Sequence, residues 1–469
     1  MSAPAFDRDL LRRYDRPGPR YTSYPTAPQF VESFDDAALR AAIDDSNGDP
    51  IPRPLSLYVH VPFCLSPCFY CGCNRVITRD ARRGEAYLAD LAREVAMIAP
   101  LFDRDRQVVQ LHFGGGTPNF LAPQQLRATV DLLRRHFRFS DAHDRDISIE
   151  LDPRTVMPED IAALAAAGFN RASLGVQDVD RAVQAAVNRV QSVEQTRAVV
   201  EACREHGLRS VNVDLIYGLP KQTEHSFRQT LATVLAMRPD RFAVYSYAHL
   251  PQLFKAQRRI DAADLPSPDT KLALLQTAID TLTDAGYVYI GMDHFALPDD
   301  ELAQAQASGG LHRNFMGYTT HADSDLIGLG VSAISHIGAT YSQNPREEAG
   351  WRAALEAGRL PVFRGMTMSA DDQLRADLIQ TLMCQGEIPI AALEHRYRID
   401  FASYFADGLE RLGPLQDDGL VRIEAERIVV SQRGRLLLRN IAMCFDRYLP
   451  HACAAARPQA PGARASSAI

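Results

Sequence analysis

No apolar run in this sequence approaches the roughly 20 residues that cross a bilayer, which excludes a helical membrane span and predicts a protein with no membrane partner. No basic stripe is present either. Acidic residues outnumber basic ones, 58 to 51, for a formal net charge of −7, which argues against nucleic acid as a partner. The first residues, MSAPAFDRDLLRRYDRPG, lack the apolar core of a secretory signal. Outside one stretch cysteine is sparse. Cys203, Cys384, Cys444 and Cys453 are scattered, which fits reduced cytosolic thiols better than a disulfide framework. The expectation is a cytoplasmic protein. Its 469 residues, 46% hydrophobic, suffice for a large catalytic domain and at least one appendage.

The other four cysteines are packed into ten residues. Tyr58 to Arg75 reads YVHVPFCLSPCFYCGCNR, with Cys64, Cys68 and Cys71 spaced C-x-x-x-C-x-x-C and Cys73 two residues later. Residues 56–61 alternate like a strand that stops at Pro62, so the cysteines fall in a loop just past a strand end. Open α/β sheets and α/β barrels place their reactive groups there. Iron–sulfur clusters usually take four thiolates. Three on one loop can hold three irons of a [4Fe–4S] cube and leave the fourth iron open. The competing reading is structural zinc, but zinc commonly uses two separated ligand pairs, and no second pair follows here.

From residue 56 strands and helices alternate. Strands are predicted at 56–61, 107–113, 146–151, 171–175, 210–216 and 241–246. Helices are predicted at 82–99, 123–137, 158–167, 178–187 with 193–206, and 224–236. A helix at 269–285 and a strand at 287–290 follow. Such alternation implies parallel strands with right-handed crossovers, and six units fit a partial (β/α)6 barrel. Polar groups then mark successive strand ends: Gly114-Gly115-Gly116-Thr117-Pro118, Glu150-Leu151-Asp152-Pro153-Arg154, Gly175-Val176-Gln177-Asp178, Asp214 with Tyr217-Gly218-Leu219-Pro220, and Tyr245 to His249. Glycines let backbone N–H groups approach a ligand closely.

Residues 1–30 are rich in arginine, tyrosine and proline, and the prolines deny them regular structure. They read either as a disordered leader or as an arm over a site. A short helix is expected within 31–48. Residues 291–338, with His294, His312, Arg313, Asn314, Tyr318, Thr319 and Thr320 around glycines, suit a binding loop better than a core. A helix near 346–357 precedes a boundary at Pro361. Helices at 369–383, 388–396, 401–412 and 435–447, with a β-ribbon, resemble a winged-helix arrangement. That part is not strongly basic and reads as a packing or lid domain. The expected organisation is an N-terminal arm and short helix, 1–50; a catalytic domain, 51–362; a smaller, mainly helical C-terminal domain, 363–451; and a disordered tail, 452–469.

The cysteine loop, with Tyr70 before its last ligand position, resembles the signature of radical S-adenosylmethionine (SAM) enzymes. PRYTSYPTA, YVHVPFC, CFYCGCN, LHFGGGTP, GVQD, DLIYGLP, YAHLP, GMDHFA, HRNF-x-GYTT and GVSAIS together resemble oxygen-independent coproporphyrinogen III oxidases, from about residue 10 to residue 450. The resemblance implies a porphyrin-biosynthetic oxidoreductase. Two propionates of coproporphyrinogen III become vinyl groups, giving protoporphyrinogen IX, with SAM consumed and carbon dioxide released at each step. It also implies a [4Fe–4S] cluster, two bound SAM molecules, a low-potential electron donor such as flavodoxin or ferredoxin, and a monomer.

Carried over by position, the resemblance makes Cys64, Cys68 and Cys71 the cluster ligands. Cys73 becomes an essential cysteine that does not ligate iron. Tyr58, Tyr70, Gly115, Gly116, Thr117, Glu150, Gln177, Arg189, Asp214, Ala248 and Ile334 become SAM positions, with Tyr58 and Cys73 also catalytic. Arg189 sits in a predicted helix, where an isolated arginine is ordinarily a solvated face; only the resemblance singles it out. A substrate with four carboxylates calls for arginines, and Arg16, Arg20 and Arg313 are the candidates. Relatives in the wider family are heme chaperones or heme-degrading methyltransferases. The chaperones generally lack the cysteine at position 73 and the PRYTSYPTA arm, both present here. A non-enzymatic regulator with structural zinc would leave the GGGTP loop and the strand-end acids unexplained.

Overall fold

A computed structural model describes residues 4–449. The expected tail at 452–469, and Cys453 within it, lie outside the described residues. The chain divides into two compact units: residues 30–278 with 323–367, a sheet unit, and residues 4–29, 279–322 and 368–449, a mainly helical one.

The sheet unit is built on seven parallel strands: β1 (Leu55–Val61), β2 (Gln107–Gly115), β3 (Asp146–Leu151), β4 (Arg171–Gln177), β5 (Ser210–Tyr217), β6 (Arg241–Ser246) and β7 (Asp325–Leu329). Their spatial order is β6-β5-β4-β3-β2-β1-β7, so the six predicted strands lie side by side in chain order. β7 adds a seventh strand beyond β1, with Tyr58 opposite Gly328. Three antiparallel strands, β8 (Ile334–Ile337), β9 (Thr340–Gln343) and β10 (Arg364–Thr367), extend the sheet from β7.

Covering helices explain why β1 is buried along almost its whole length, as strands in parallel sheets are. Arg82–Ile98 buries Tyr87, Leu91, Glu94, Val95 and Ile98, and Pro123–His136 buries Leu126, Val130 and Leu133. Both sets follow the 3.6-residue period of a helix with one apolar face. The crossovers return each strand in the same direction, so the carboxyl ends of β1 to β6 share one edge of the sheet.

In the helical unit, Ala370–Gln385, Ile390–Tyr397, Phe401–Tyr404 and Ala406–Asp417 accompany a three-stranded antiparallel ribbon of Glu387–Pro389, Arg427–Val430 and Val421–Ile423. The last helix, Leu438–Met443, is shorter than the sequence pattern suggests.

Two expectations change. The proline-rich first residues do form a helix, Arg8–Tyr14. Its N-cap Asp7 accepts from Leu10 N, and it lies between Pro4 and the run of prolines that starts at Pro17. Tertiary contacts hold this segment: Arg13 and Tyr14 bond Asp418, and Tyr21 donates to Asp446 at 3.0 Å. Residues 291–338 are not a loop. They contain a strand, His294–Ala296, a helix, Glu301–Ser308, a hairpin of His312–Asn314 with Gly317–Thr319, then β7 and β8. His294, His312, Arg313, Asn314, Tyr318 and Thr319 lie on these short strands, and Thr320 directly follows one. No helix among the described residues is long and apolar enough to cross a membrane.

Candidate functional site

Pro62 ends β1, and the chain then loops through the four cysteines. The loop is tied down at both ends and in the middle. Val76 N donates to the Pro62 carbonyl at 2.7 Å and Thr78 N to the Cys64 carbonyl at 3.0 Å. Phe69 N reaches the Val187 carbonyl at 2.9 Å, and Asn188 Nδ2 reaches the Pro67 carbonyl at 2.7 Å. Arg75 braces the loop from within. Its Nη1 donates to the Cys71 carbonyl at 3.1 Å, and its Nη2 to the Cys68 carbonyl at 3.3 Å.

Cys64 and Cys68 are buried, Cys71 is half-buried and Cys73 exposed, and all four are free thiols. Cys64 Sγ lies 3.3 Å from Thr117 Oγ1. Cys73 N–H donates to Cys71 Sγ at 3.4 Å. The bond between the two thiols, followed by the charge of Arg75, draws the Cys71 thiol down to about 6, and the same bond pushes Cys73 up. Burial raises Cys64 to about 11. Among the described residues no three or more His, Cys, Asp or Glu side chains are gathered into a metal site.

The glycine-rich end of β2 lies directly against this loop. Gly116 N donates to the Val61 carbonyl at 2.8 Å, and a Cβ at Gly116 would fall 2.8 Å from the Pro62 carbonyl. No other residue fits there. Gly115 N donates to Glu150 Oε2 at 3.2 Å. Glu150 also accepts from His112, whose ring stacks on Tyr58 with centroids 5.9 Å apart. The Tyr58 hydroxyl meets His60 Nδ1 at 3.0 Å, and His60 Nε2 meets the Asn74 carbonyl at 3.1 Å, just past Cys73. Burial, then the charge of Glu150, pushes the Tyr58 hydroxyl well up and Asp214 up to about 7. Asp214 accepts from Ser173 and Asn212.

Gln177 closes β4 with a φ of 69°, and its buried Oε1 has no hydrogen-bond partner among the described residues. The Gly328 position, opposite Tyr58, leaves room for the Ile334 backbone, which a Cβ would meet at 2.6 Å. The cysteine loop, Gly115, Gly116, Thr117, Glu150 and Gln177 thus fall at or just past the carboxyl ends of neighbouring strands, with Tyr58 and Asp214 set further back within β1 and β5. Tyr70 and Ala248 are joined by one buried side chain: Gln257 Nε2 donates to the Tyr70 carbonyl at 2.9 Å and the Ala248 carbonyl at 3.1 Å.

Arg189 is not helical and not solvated. It lies in the loop between Arg181–Ala186 and Val193–Glu205 and is only 6% exposed. The chain turns at Asn188, whose φ is 54°, in the gap that the predicted bounds 178–187 and 193–206 leave between the two helices. Arg189 Nη1 donates to Asp152 at 3.2 Å and to Cys68 Sγ at 3.4 Å, and its Nη2 to the Gly175 carbonyl at 2.5 Å.

Arg16, Arg20 and Arg313 belong to the helical unit. Arg16 is exposed. Arg20 pairs with Asp293, and Arg313 donates to the Arg20 carbonyl and lies 5.5 Å over the Tyr318 ring. Sequence reasoning passed over Arg75, His60, His112 and Gln257. Arg75 directly follows the cysteine motif, and His60 shares β1 with Tyr58, so proximity in sequence was available for both. Gln257 had no such signal.

Comparison with known proteins gives two domain matches. Residues 58–234 match the Radical SAM superfamily, and residues 368–437 match the HemN C-terminal domain. The chain is 52% identical over 445 residues to an oxygen-independent coproporphyrinogen III oxidase of Pseudomonas aeruginosa, covering 95% of this chain and 96% of that one. It is 49% identical over 451 residues to that of Escherichia coli, with 96% and 97% covered. The solved structure of coproporphyrinogen III oxidase (HemN) from Escherichia coli, described as a radical SAM enzyme, superposes with a TM-score of 0.90 at 48% identity, covering 96% of this chain and all of that one.

Proposed function

The chain belongs to the oxygen-independent coproporphyrinogen III oxidase family, and from that premise we propose that it converts two propionates of coproporphyrinogen III to vinyl groups, giving protoporphyrinogen IX in heme biosynthesis. Each propionate loses a hydrogen atom, carbon dioxide and one electron. The cofactors are a [4Fe–4S] cluster and SAM, two molecules of it. The observation that carries this reading is the loop of three thiols at the end of β1, pressed against a glycine turn and lined by guanidinium groups.

The donor set fits a cluster and not a single ion: each thiolate would bind its own iron, so the three sulfurs need not converge on one point. Three free sulfurs lie on one braced loop beside Arg75 and Arg189, cations that favour thiolates. Cys64, Cys68 and Cys71 would hold iron, leaving Cys73 to bond Cys71. When bound, the cluster and SAM supply one-electron cleavage of a sulfonium C–S bond and hydrogen-atom abstraction from the substrate. The polar edge fits SAM. The orphaned Gln177 Oε1 awaits a donor. Glu150 and Asp214 would accept from ribose hydroxyls, and Arg189 would pair with a methionyl carboxylate. Gly115, Gly116 and Thr117 offer backbone at close range. Tyr58, Tyr70, Ala248 and Ile334 line the remainder. Arg16, Arg20 and Arg313 stand as carboxylate partners for the substrate.

In this reading the catalytic domain expected at 51–362 carries the chemistry, and the C-terminal domain expected at 363–451 has no nucleic-acid role. The protein works as a cytoplasmic monomer, with flavodoxin or ferredoxin supplying the electron.

Anaerobic reconstitution with iron and sulfide, then dithionite, SAM and coproporphyrinogen III, tests the proposal. The expected products are 5′-deoxyadenosine and, after oxidation, protoporphyrin. Deoxyadenosine with no vinyl product would point to another tetrapyrrole. Neither product from a loaded, reduced protein would sink the enzymatic reading. Cys64→Ala is expected to lose both cluster and turnover; a full iron complement in that variant would remove Cys64 from the ligand set.

A further inference from the structure

Asp152 and Arg154, at the end of β3, have no part in the chemistry above, yet they are built into the wall of the cysteine loop. Asp152 is held by its own backbone: its N–H donates to Asn119 Oδ1 at 2.9 Å, and Asn119 Nδ2 in turn donates to Thr155 Oγ1 at 2.8 Å. Its carboxylate grips Arg154 as a fork, with Nε at 3.0 Å from Oδ1 and Nη2 at 2.6 Å from Oδ2. The side chains are 9% and 17% exposed. The fork leaves Arg154 one direction to point, and Nη2 reaches Cys68 Sγ at 3.5 Å. The same carboxylate holds Arg189, whose Nη1 reaches the same sulfur at 3.4 Å. Two guanidiniums and one carboxylate leave a net positive charge beside Cys68.

Arg189 also bonds the Gly175 carbonyl and is the candidate partner of a SAM carboxylate. Among the described residues the guanidinium bonds of Arg154 go to Asp152 and Cys68. Hydrogen bonds to ligand sulfurs and nearby positive charge stabilise the reduced, more negative state of an iron–sulfur cluster. Burial keeps that effect from being screened.

We propose that Arg154, clamped by Asp152, is a positioning residue that donates to the sulfur of Cys68 and raises the reduction potential of the cluster held there. This rests on the cluster reading above. The step is the gain of one electron by the oxidised cluster from a low-potential donor, with no proton moved.

Wild type, Arg154→Gln, Arg154→Lys and Asp152→Asn are reconstituted anaerobically, assayed for iron and sulfide, and poised against dithionite with mediators while the reduced cluster is followed by electron paramagnetic resonance. At a fixed potential the reduced-to-oxidised ratio in Arg154→Gln is expected to fall about tenfold, equivalent to about 59 mV for one electron. Asp152→Asn, which frees the fork but keeps the arginine, is expected to fall about threefold, and so is Arg154→Lys. Full loading with a ratio within twofold of wild type in Arg154→Gln overturns the proposal. If Arg154→Gln does not load, Arg154→Lys decides: an unchanged ratio there overturns it. A wild-type protein that takes up no iron and sulfide overturns the functional reading and this inference with it. A loaded wild type with unmoved variants overturns this inference alone.

Discussion

Two buried carboxylates in the sheet unit face opposite surroundings. Asp152 is 8% exposed and Glu94, in the helix Arg82–Ile98, is 1% exposed. Burial alone would push both acids up. At Asp152 the charge of Arg189 and the bonds from Arg154 outweigh it and hold the carboxyl below its ordinary value. Among the described residues the hydrogen-bond donors to Glu94 are neutral: Gly330 N at 2.7 Å, Asn344 Nδ2 at 2.6 Å and Trp351 Nε1 at 3.2 Å. There burial prevails, and the acid rises to about 7. The sign of the partners, not the degree of burial, separates them. The thiol edge is furnished to keep charge in place. The Glu94 side is furnished to keep shape: it fixes the turn from β7 into β8, whose first residue is Ile334.

The strongest way to break this contrast is to remove the anion at the thiol edge. Asp152→Ala leaves the buried Arg189 and the half-buried Arg154 without their counter-charge, and losing one partner of a buried pair costs about 4 kcal/mol. Chemical denaturation of the cluster-free protein would measure it. A loss under about 1 kcal/mol would mean that the guanidiniums do not depend on Asp152.

Titration sharpens the contrast next, because the two acids act on stability with opposite sign. Glu94 has an ordinary value of 4.5 and stands at about 7 in the fold. Between those values the native state holds more protons than the unfolded one. Its contribution is therefore complete below pH 4.5 and is lost as pH rises through 7, by about 3 kcal/mol. Asp152, lowered from 3.8, contributes above that value and loses its contribution as pH falls through the lower native one. Glu94→Gln is expected to take about 3 kcal/mol out of the decline in unfolding free energy between pH 4.5 and 7. Asp214, also raised to about 7, keeps a share of that decline. An unchanged slope in Glu94→Gln would place the titrating group elsewhere.

Glu94 also marks what the sequence does and does not reveal. The strands β1 to β6 were legible within two residues because apolar runs alternate with amphipathic helices, and period is a local property. For the same reason Glu150 and Gln177 were placed at strand ends, and the cysteine loop just past β1. A glutamate in a helix reads as a solvated face, and nothing near residue 94 announces Gly330, Asn344 or Trp351. Arg189 failed in the same way: its burial depends on Asp152 and Gly175, 37 and 14 residues away. The pairing of Gln257 with Tyr70 spans 187 residues. The helix Arg8–Tyr14 was missed because the prolines after it dominated the composition, although Asp7 is an ordinary N-cap. Local pattern identifies elements, and long-range contacts decide which side chains they bury.

Glycines give the smallest and most local test of the same contrast. Gly330, on the Glu94 side, has a φ of 91°, which strains any other residue. A Cβ there would strike the Tyr87 hydroxyl and come 2.9 Å from the His60 carbonyl. Neither can yield cheaply, because that hydroxyl donates to the His60 carbonyl at 2.7 Å and accepts from Val331 N at 3.1 Å. Gly330→Ala is expected to cost about 2 kcal/mol. Gly72, in the cysteine loop, has no positive φ, and a Cβ there would meet only the edge of the Phe254 ring, at 2.9 Å. That ring belongs to a half-buried side chain that can swing aside. The added methyl also narrows the unfolded ensemble, which offsets part of the strain. Gly72→Ala is therefore expected to cost less than about 1 kcal/mol, with iron uptake close to wild type. Both are read from denaturation curves of the cluster-free protein. A Gly72 loss as large as that at Gly330 would mean that the cysteine loop is as rigidly packed as the turn after β7. Charge, and not shape, would then no longer be what distinguishes the thiol edge.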